Sequence, residues 1–305
     1  MDMRALKYLV SVDDTGSMTA AAAEHFVTQP AVSIQLKKLQ EEMGTVLFEV
    51  VGREIRFTPA GRKVLEYARR ISALEKEMDG ELSGMAGLAR GEISIGTIDA
   101  ASIYILPAVY SSFRSRYPGI DLRVDVSSTL PLIGRMLEGG LDMVVGTLSG
   151  EKRPGVTEVE IFREKLVPIA PPGHPAAVKS GVDVAKFASY PFISFHRGSV
   201  TRRMIESVLL GMGVTVEVEM EIDSQEAIKN LVASGLGLSI LPNETVRGEI
   251  ERGDLARARV RGLRIERSIG LIVPGKRRLS AAALAFLGVI SDELGTALPG
   301  LEERD

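Results

Sequence analysis

The sequence predicts an α/β protein in which a small helical head and one long helix precede an alternating α/β body. Three observations predict it. Residues 1–58 are dense in Thr/Ser–Ala helix patterns and close on a short β-like stretch. Residues 59–88 read as a single helix opened by Pro59. From about residue 91 onward, β-like and helical segments alternate, which is the pattern of a largely parallel sheet. At 305 residues the chain has room for about two domains.

Composition narrows the function classes. A 45% hydrophobic and 25% charged chain is ordinary for a globular protein. Cysteine is absent, which excludes disulfides, thiolate metal sites and cysteine nucleophiles. The three histidines, His25, His174 and His196, lie far from metal-ligand spacing, so no metal and no cofactor is expected. No apolar run approaches the ~18 residues of a membrane span. The acidic opening MDMRALKYLVSVDD reads as a helix rather than a secretory signal, which predicts a cytoplasmic protein without a membrane partner. No G-x-S-x-G elbow, Walker loop or dinucleotide fingerprint occurs, and the acids Glu138 and Asp142 fit surface and capping roles, so no enzyme activity is expected.

In the head, Leu6, Leu9 and Val10 make one face of helix 1 apolar. Ser17 is placed to cap helix 2, and Thr28 to cap helix 3, with Pro30 tolerated in the first turn. Along helix 3, Val32, Leu36, Leu39 and Met43 recur at spacings of four and three, a stripe to be buried, and Gly44 ends the helix. Two β runs about Gly52 then predict a wing-like hairpin. Two short helices, a turn and a hairpin make a winged helix-turn-helix. The open face of helix 3 makes Thr28, Gln29, Pro30, Ala31, Ser33, Gln35, Lys37 and Lys38 the candidate contacts to double-stranded DNA. Gln pairs with adenine edges, Ser with several bases, and Lys with phosphates. Arg53 and Arg56 of the hairpin are placed for the backbone or minor groove. Helix 3 alone reads more readily as a solvated surface; helix 2 and the wing tip the balance toward DNA.

Residues 1–65 carry eight bases and eight acids, so a single head would hold DNA weakly and two must act together. The long helix supplies a means. Val64, Ile71, Met78 and Met85 repeat every seven residues, with Tyr67, Leu74 and Leu82 between them, which predicts a seam for self-association through helix 59–88. The alternative is a stripe packed on its own body.

The head resembles the LysR-type transcriptional regulators. The matching blocks are Ser17-Met18-Thr19-Ala20-Ala21-Ala22, Val27-Thr28-Gln29-Pro30-Ala31-Val32-Ser33, Leu36 and Leu39, Leu47-Phe48, Gly52-Arg53 and Thr58-Pro59-Ala60-Gly61. Thr28 stands where serine is commoner, Gln40 where glutamate is, and Val50 where an arginine often precedes Gly-Arg. Later runs, LEGGLDMVVG, IAPPGHP, PFISFHRGS and LVASGLGLSILP, extend the resemblance over nearly the whole chain. It implies two lobes of the periplasmic-binding-protein type joined by crossover strands near Phe162–Leu166 and Arg264–Ile269. The implied division is a DNA-binding head at 1–58, a linker helix at 59–89, lobe 1 at 90–163 and 268–305, and lobe 2 at 164–267. It further implies a tetramer, contact with RNA polymerase, and a small-molecule effector between the lobes.

Three strand-to-helix loops are candidates for that effector site: Thr97, Ile98, Asp99, Ala100 and Ser102; Ser128 and Thr129; and Phe195, His196, Gly198, Ser199 and Thr201. Hydroxyls and amides there suit an anionic ligand, an organic acid or amino acid. Taken singly, each Ser or Thr also fits plain helix capping. Asp99 opposes an anion unless it faces outward or pairs with Arg197, and His196 reads equally as a ligand donor or a structural side chain. Two other readings stay open: a small-molecule-binding protein, and a repressor with a degenerate cleft.

Overall fold

The computed structural model describes residues 2–52, 54–85, 91–275 and 278–301. The chain forms two compact units, residues 1–82 with 138–140, and the remainder.

The first unit is built on α1 (Met3–Thr15), α2 (Met18–Glu24) and α3 (Gln29–Met43). The Asp2 carboxylate accepts the Arg4 N–H at 2.9 Å to open α1, and Gly16 closes it in the left-handed conformation. Ser17 caps α2 by accepting from the Ala20 N–H. Leu6, Leu9, Val12, Ala21, Val32, Leu36, Leu39 and Leu47 bury together, which fixes the three helices against one another. The hairpin of β1 (Phe48–Val51) and β2 (Glu54–Phe57) pairs Phe48 with Phe57 and turns at Gly52, whose φ of +66° suits glycine. Two expectations are corrected. Thr28 occupies the cap position of α3, but its side chain makes no capping bond; its carbonyl receives the Ala31 and Val32 N–H groups instead. Met43, the last of the expected stripe, is exposed because the core ends at Leu39.

Helix α4 (Pro59–Met85) begins directly after the hairpin. It runs back along α1: Arg69, 7% exposed, reaches Asp13 at 2.7 Å and Asp14 at 2.6 Å, and Lys7 meets Glu75 at 2.8 Å. That placement corrects half of the expected seam. Val64 and Ile71 pack onto the core of their own unit beside the buried Leu65 and Ala68. Tyr67, Leu74 and Met78 remain exposed, while the side chains of Leu82 and Met85 lie outside the described residues.

The second unit contains β3 (Gly91–Thr97), α5 (Asp99–Tyr104), α6 (Leu106–Arg116), β4 (Ile120–Val126), α7 (Thr129–Leu137) and β5 (Met143–Thr147). Then come β6 (Val156–Ala170), a short 3-10 turn (Pro175–Ala177), α8 (Val184–Ala188), β7 (Phe192–Ser194), α9 (Val200–Gly211), β8 (Val218–Glu221), α10 (Gln225–Ala233) and β9 (Ser239–Pro242). Helix α11 (Asn243–Arg252), β10 (Ala256–Arg257), β11 (Ile265–Pro274) and α12 (Ala281–Leu294) complete it. Strand β3 lies parallel to both β4 and β5, with crossover helices between, as a βαβ pattern requires. Strand β11 runs antiparallel to β5 and to the long β6. The far half of β6 pairs with β9 and β10, so β6 and β11 carry the sheet from one lobe into the other. Their register sets Phe162 opposite Ile269 and Leu166 opposite Ile265.

Each lobe has its own core. Ile93, Ile95, Phe113, Met143, Leu271 and Phe286 bury in the first; Ile169, Phe187, Phe192, Ile193, Ile228 and Ile240 bury in the second. Two independent cores joined by a pair of strands leave a cleft where the βα loops of both lobes face each other.

Candidate functional site

Helix α3 turns Val32, Leu36 and Leu39 inward, and the 3.6-residue period therefore sends the residues between them outward. Thr28, Gln29, Pro30, Lys37 and Lys38 are exposed, and Ala31, Ser33 and Gln35 are half-buried along the flanks. The short polar groups cluster at the N-terminal end, where a recognition helix enters the groove, and the lysines lie further along. The C-terminal end of α3 is bolted to the wing: Gln40 Oε1 accepts the Leu47 N–H at 2.8 Å and the Phe48 N–H at 3.4 Å. Arg56 of the wing is exposed and ion-paired with Glu54 at 3.0 Å. Arg53 lies outside the described residues.

In the second unit, the cleft holds a cavity of about 310 Å³. Of the expected effector residues, Ile98, Asp99, Ser128, Thr129, Phe195, His196, Ser199 and Thr201 line it. Four others do not. Thr97, fully buried, sits on the strand phase that points into the core and donates to the Ile98 carbonyl. Ala100 is buried in α5, Ser102 is half-buried one turn on, and Gly198 packs under the His196 ring, its N–H donating to Nδ1 at 2.9 Å.

Asp99 is also corrected. It does not pair with Arg197; its Oδ2 accepts the Gln225 N–H at 3.4 Å, at the start of α10. A carboxylate is favoured there by the helix dipole. Arg197 instead meets Glu221 at 3.1 Å, and hydrogen bonds from Arg202 and Arg197 hold the Glu221 carboxyl below its ordinary range. His196 Nε2 lies 3.2 Å from Ser128 Oγ and 3.5 Å from Asp223 Oδ1, which draws the first lobe toward the second. Ser199 lines the cavity and caps α9 through the Arg202 N–H, so capping and cavity lining coincide in one residue.

Val126, Ser127 and Val200 of the expected loops also line it, and the wall is completed by residues outside those loops: Thr147, Asp223, Ser224, Gln225 and Arg267. Arg267, 2% exposed, donates from Nε to Glu164 at 2.6 Å and from Nη1 to Thr201 Oγ1 at 2.8 Å. Burial pulls its guanidinium below the ordinary value against the hold of Glu164. Among the described residues no group of three His, Asp or Glu side chains is placed to hold a metal, and no helix is long and apolar enough to cross a membrane.

Comparison with known proteins accounts for both halves. The family described as "Bacterial regulatory helix-turn-helix protein, lysR family" matches residues 3–62, and "LysR substrate binding domain" matches residues 86–295. The chain belongs to the LysR family of transcriptional regulators. Among its LysR relatives, the RuBisCO operon transcriptional regulator of Allochromatium vinosum is 34% identical over 96% of both chains. The transcriptional activator CmpR of Synechocystis is 32% identical over 90% of this chain and 89% of that one. The fold matches CbnR, a LysR regulator, with a TM-score of 0.66 at 23% identity over 96% of this chain and 99% of the other. It matches a full-length OxyR variant from Pseudomonas aeruginosa with a TM-score of 0.69 at 22% identity, over 96% and 94%.

One signal for the missed wall of this LysR regulator was present. Asp223-Ser224-Gln225 follows β8 as Ser199 follows β7, a fourth hydroxyl at a helix start. Arg267 carried no such signal.

Proposed function

We propose that the chain binds specific operators in double-stranded DNA through α3 and the wing. Gln29, Pro30, Ala31, Ser33 and Gln35 are then the base-reading group, and Thr28, Lys37, Lys38, Arg56 and Arg53 the backbone group. The observation that carries this reading is the division of α3, with Val32, Leu36 and Leu39 sealed inward and Gln29, Lys37 and Lys38 exposed, Ile34 being a large apolar side chain among them on the open side. Because the head is neutral overall, two chains act together, held by the exposed Tyr67, Leu74 and Met78 of α4, and dimers assemble further to a tetramer.

A small anionic effector, an organic acid or amino acid, occupies the cleft and biases the relative position of the lobes, hence the spacing of the heads and contact with RNA polymerase. Cross-lobe hydrogen bonds at His196–Ser128 and Thr201–Thr147 support a cleft whose closure responds to a ligand. The protein works in the cytoplasm, where its DNA is. The resemblance to RuBisCO operon regulators makes RuBisCO genes the first targets to test.

A mobility-shift assay on an identified operator tests the assignment. Gln29→Ala, Ser33→Ala and Lys37→Ala are each expected to weaken binding, by about 1–3 kcal/mol where a base contact is lost. Three variants that bind as the unaltered protein does would remove α3 from the interface.

A further inference from the structure

Among the described residues, the cavity wall carries two buried polar atoms without a partner, and they are of opposite kind. Arg267 Nη2 can only donate; Gln225 Oε1 can only accept. Each belongs to a cluster of its own sign. Around Arg267 the cluster is donating: Nη1–H occupies Thr201 Oγ1, which leaves the Thr201 proton to be given onward, and Thr147 Oγ1 lies 3.4 Å away. Around Gln225 it is accepting, with the carboxylates of Asp99 and Asp223 on the same wall. Buried polar groups are otherwise almost always satisfied, so a matched pair of orphans on one cavity points to a ligand that supplies both partners.

Resting on the reading of this cleft as the effector site, we infer that its ligand carries an oxyanion, received by Arg267 with the hydroxyls of Thr147 and Thr201, and hydroxyl or ammonium groups, received by Gln225, Asp99 and Asp223. Glu164 tunes the grip. It neutralises Arg267 from behind, outside the cavity wall, so the oxyanion is held by hydrogen bonds and by a cation already largely compensated. A ligand with two oxyanions and no donor group meets the acids unpaired and binds worse.

The test is calorimetric titration of the full chain with four probes: inorganic phosphate, succinate, glycerate and serine. Glycerate and serine, which combine a carboxylate with donors, are expected to bind about tenfold or more tighter than succinate. In Glu164→Gln, which unmasks the Arg267 charge, the glycerate and serine affinities are expected to rise by about tenfold. A merely structural Glu164 would give the opposite sign. If Glu164→Gln does not fold, Thr201→Val takes its place, with an expected loss of about tenfold. A probe that binds but is unaffected or weakened by Glu164→Gln, is unaffected by Thr201→Val where that variant is used, or favours succinate, overturns this inference and leaves the effector cleft standing. Failure of all four probes to bind at millimolar concentration overturns both.

Discussion

Alanine at position 61 is the sharpest structural test of how the wing is joined to α4. Gly61 lies in the first turn of α4, and a Cβ there would sit 1.8 Å from the Leu47 carbonyl oxygen and 2.7 Å from its carbon. Ordinary contact is about 3.5 Å, so the two backbones must part by roughly 1.7 Å. Leu47 cannot yield freely. Its side chain is fully buried, its N–H is held by Gln40 Oε1 at 2.8 Å, and its carbonyl receives the Thr58 N–H at 3.0 Å and the Thr58 hydroxyl at 3.2 Å. Overpacking at such a site costs about 1–3 kcal/mol, and each hydrogen bond sacrificed to relieve it costs about 1 kcal/mol more. A loss near 3 kcal/mol lowers the melting point of a unit this small by about 10–20 °C. Scanning calorimetry of the full chain reads the shift, and operator binding should fall with it because the same contact positions α3 relative to the wing. A Gly61→Ala protein whose first unit melts within about 2 °C of the unaltered chain refutes the close approach.

Three further outcomes follow from the same geometry. Gly134 lies within α7 with open space where a Cβ would go, so Gly134→Ala should raise stability by about 0.5–1 kcal/mol in denaturant unfolding; a loss would show the site to be less open. Arg69→Met leaves Asp13 and Asp14 facing each other without a cation, and should destabilise the first unit by about 1–3 kcal/mol, with no change if the pairings are incidental. Burial pushes His174 below its ordinary pKa of 6.5, and its unprotonated Nδ1 accepts the Ala176 N–H at 3.1 Å. Its contribution is therefore complete above pH 6.5 and lost as pH falls from there through the lower folded value, so His174→Asn should flatten the stability profile below pH 6.5; an unaltered profile would assign the acid sensitivity to other groups.

What was legible in the sequence is what depends on neighbours along the chain. The Val32–Leu36–Leu39 stripe, the cap at Ser17 and the glycines at 44 and 52 act over one or two turns, and all sit where local pattern places an inward face, a helix start or a reversal. Periodicity shows that α4 has an apolar face but not what that face meets. Val64 and Ile71 went to their own core because Arg69 and Glu75 tie α4 to α1. The cleft is harder still. Thr97 and Thr129 are both buried, yet only Thr129, at the start of α7, lines the cavity; Thr97 stands on β3 in the phase of the buried Ile93 and Ile95, which chain-local pattern does not distinguish from the cleft side. Arg267 stands between Glu266 and Ser268 like any exposed strand residue; it is buried because Glu164, 103 positions earlier in the chain, lies beside it in the sheet. Asp99 likewise found its partner 126 residues away, at Gln225 rather than Arg197.

The claim that α3 of paired chains reads duplex DNA is tested most directly by selection from random-sequence duplexes on the full-length protein, with the mass of the bound complex measured alongside. Enriched sites should contain two related halves about one helical turn or a multiple of it apart, roughly 34–36 Å per turn, in complexes of at least two chains, and Gln29→Ala should relax the sequence at one position of each half. No enrichment over the starting pool, or a single unpaired half bound by one chain, would contradict it.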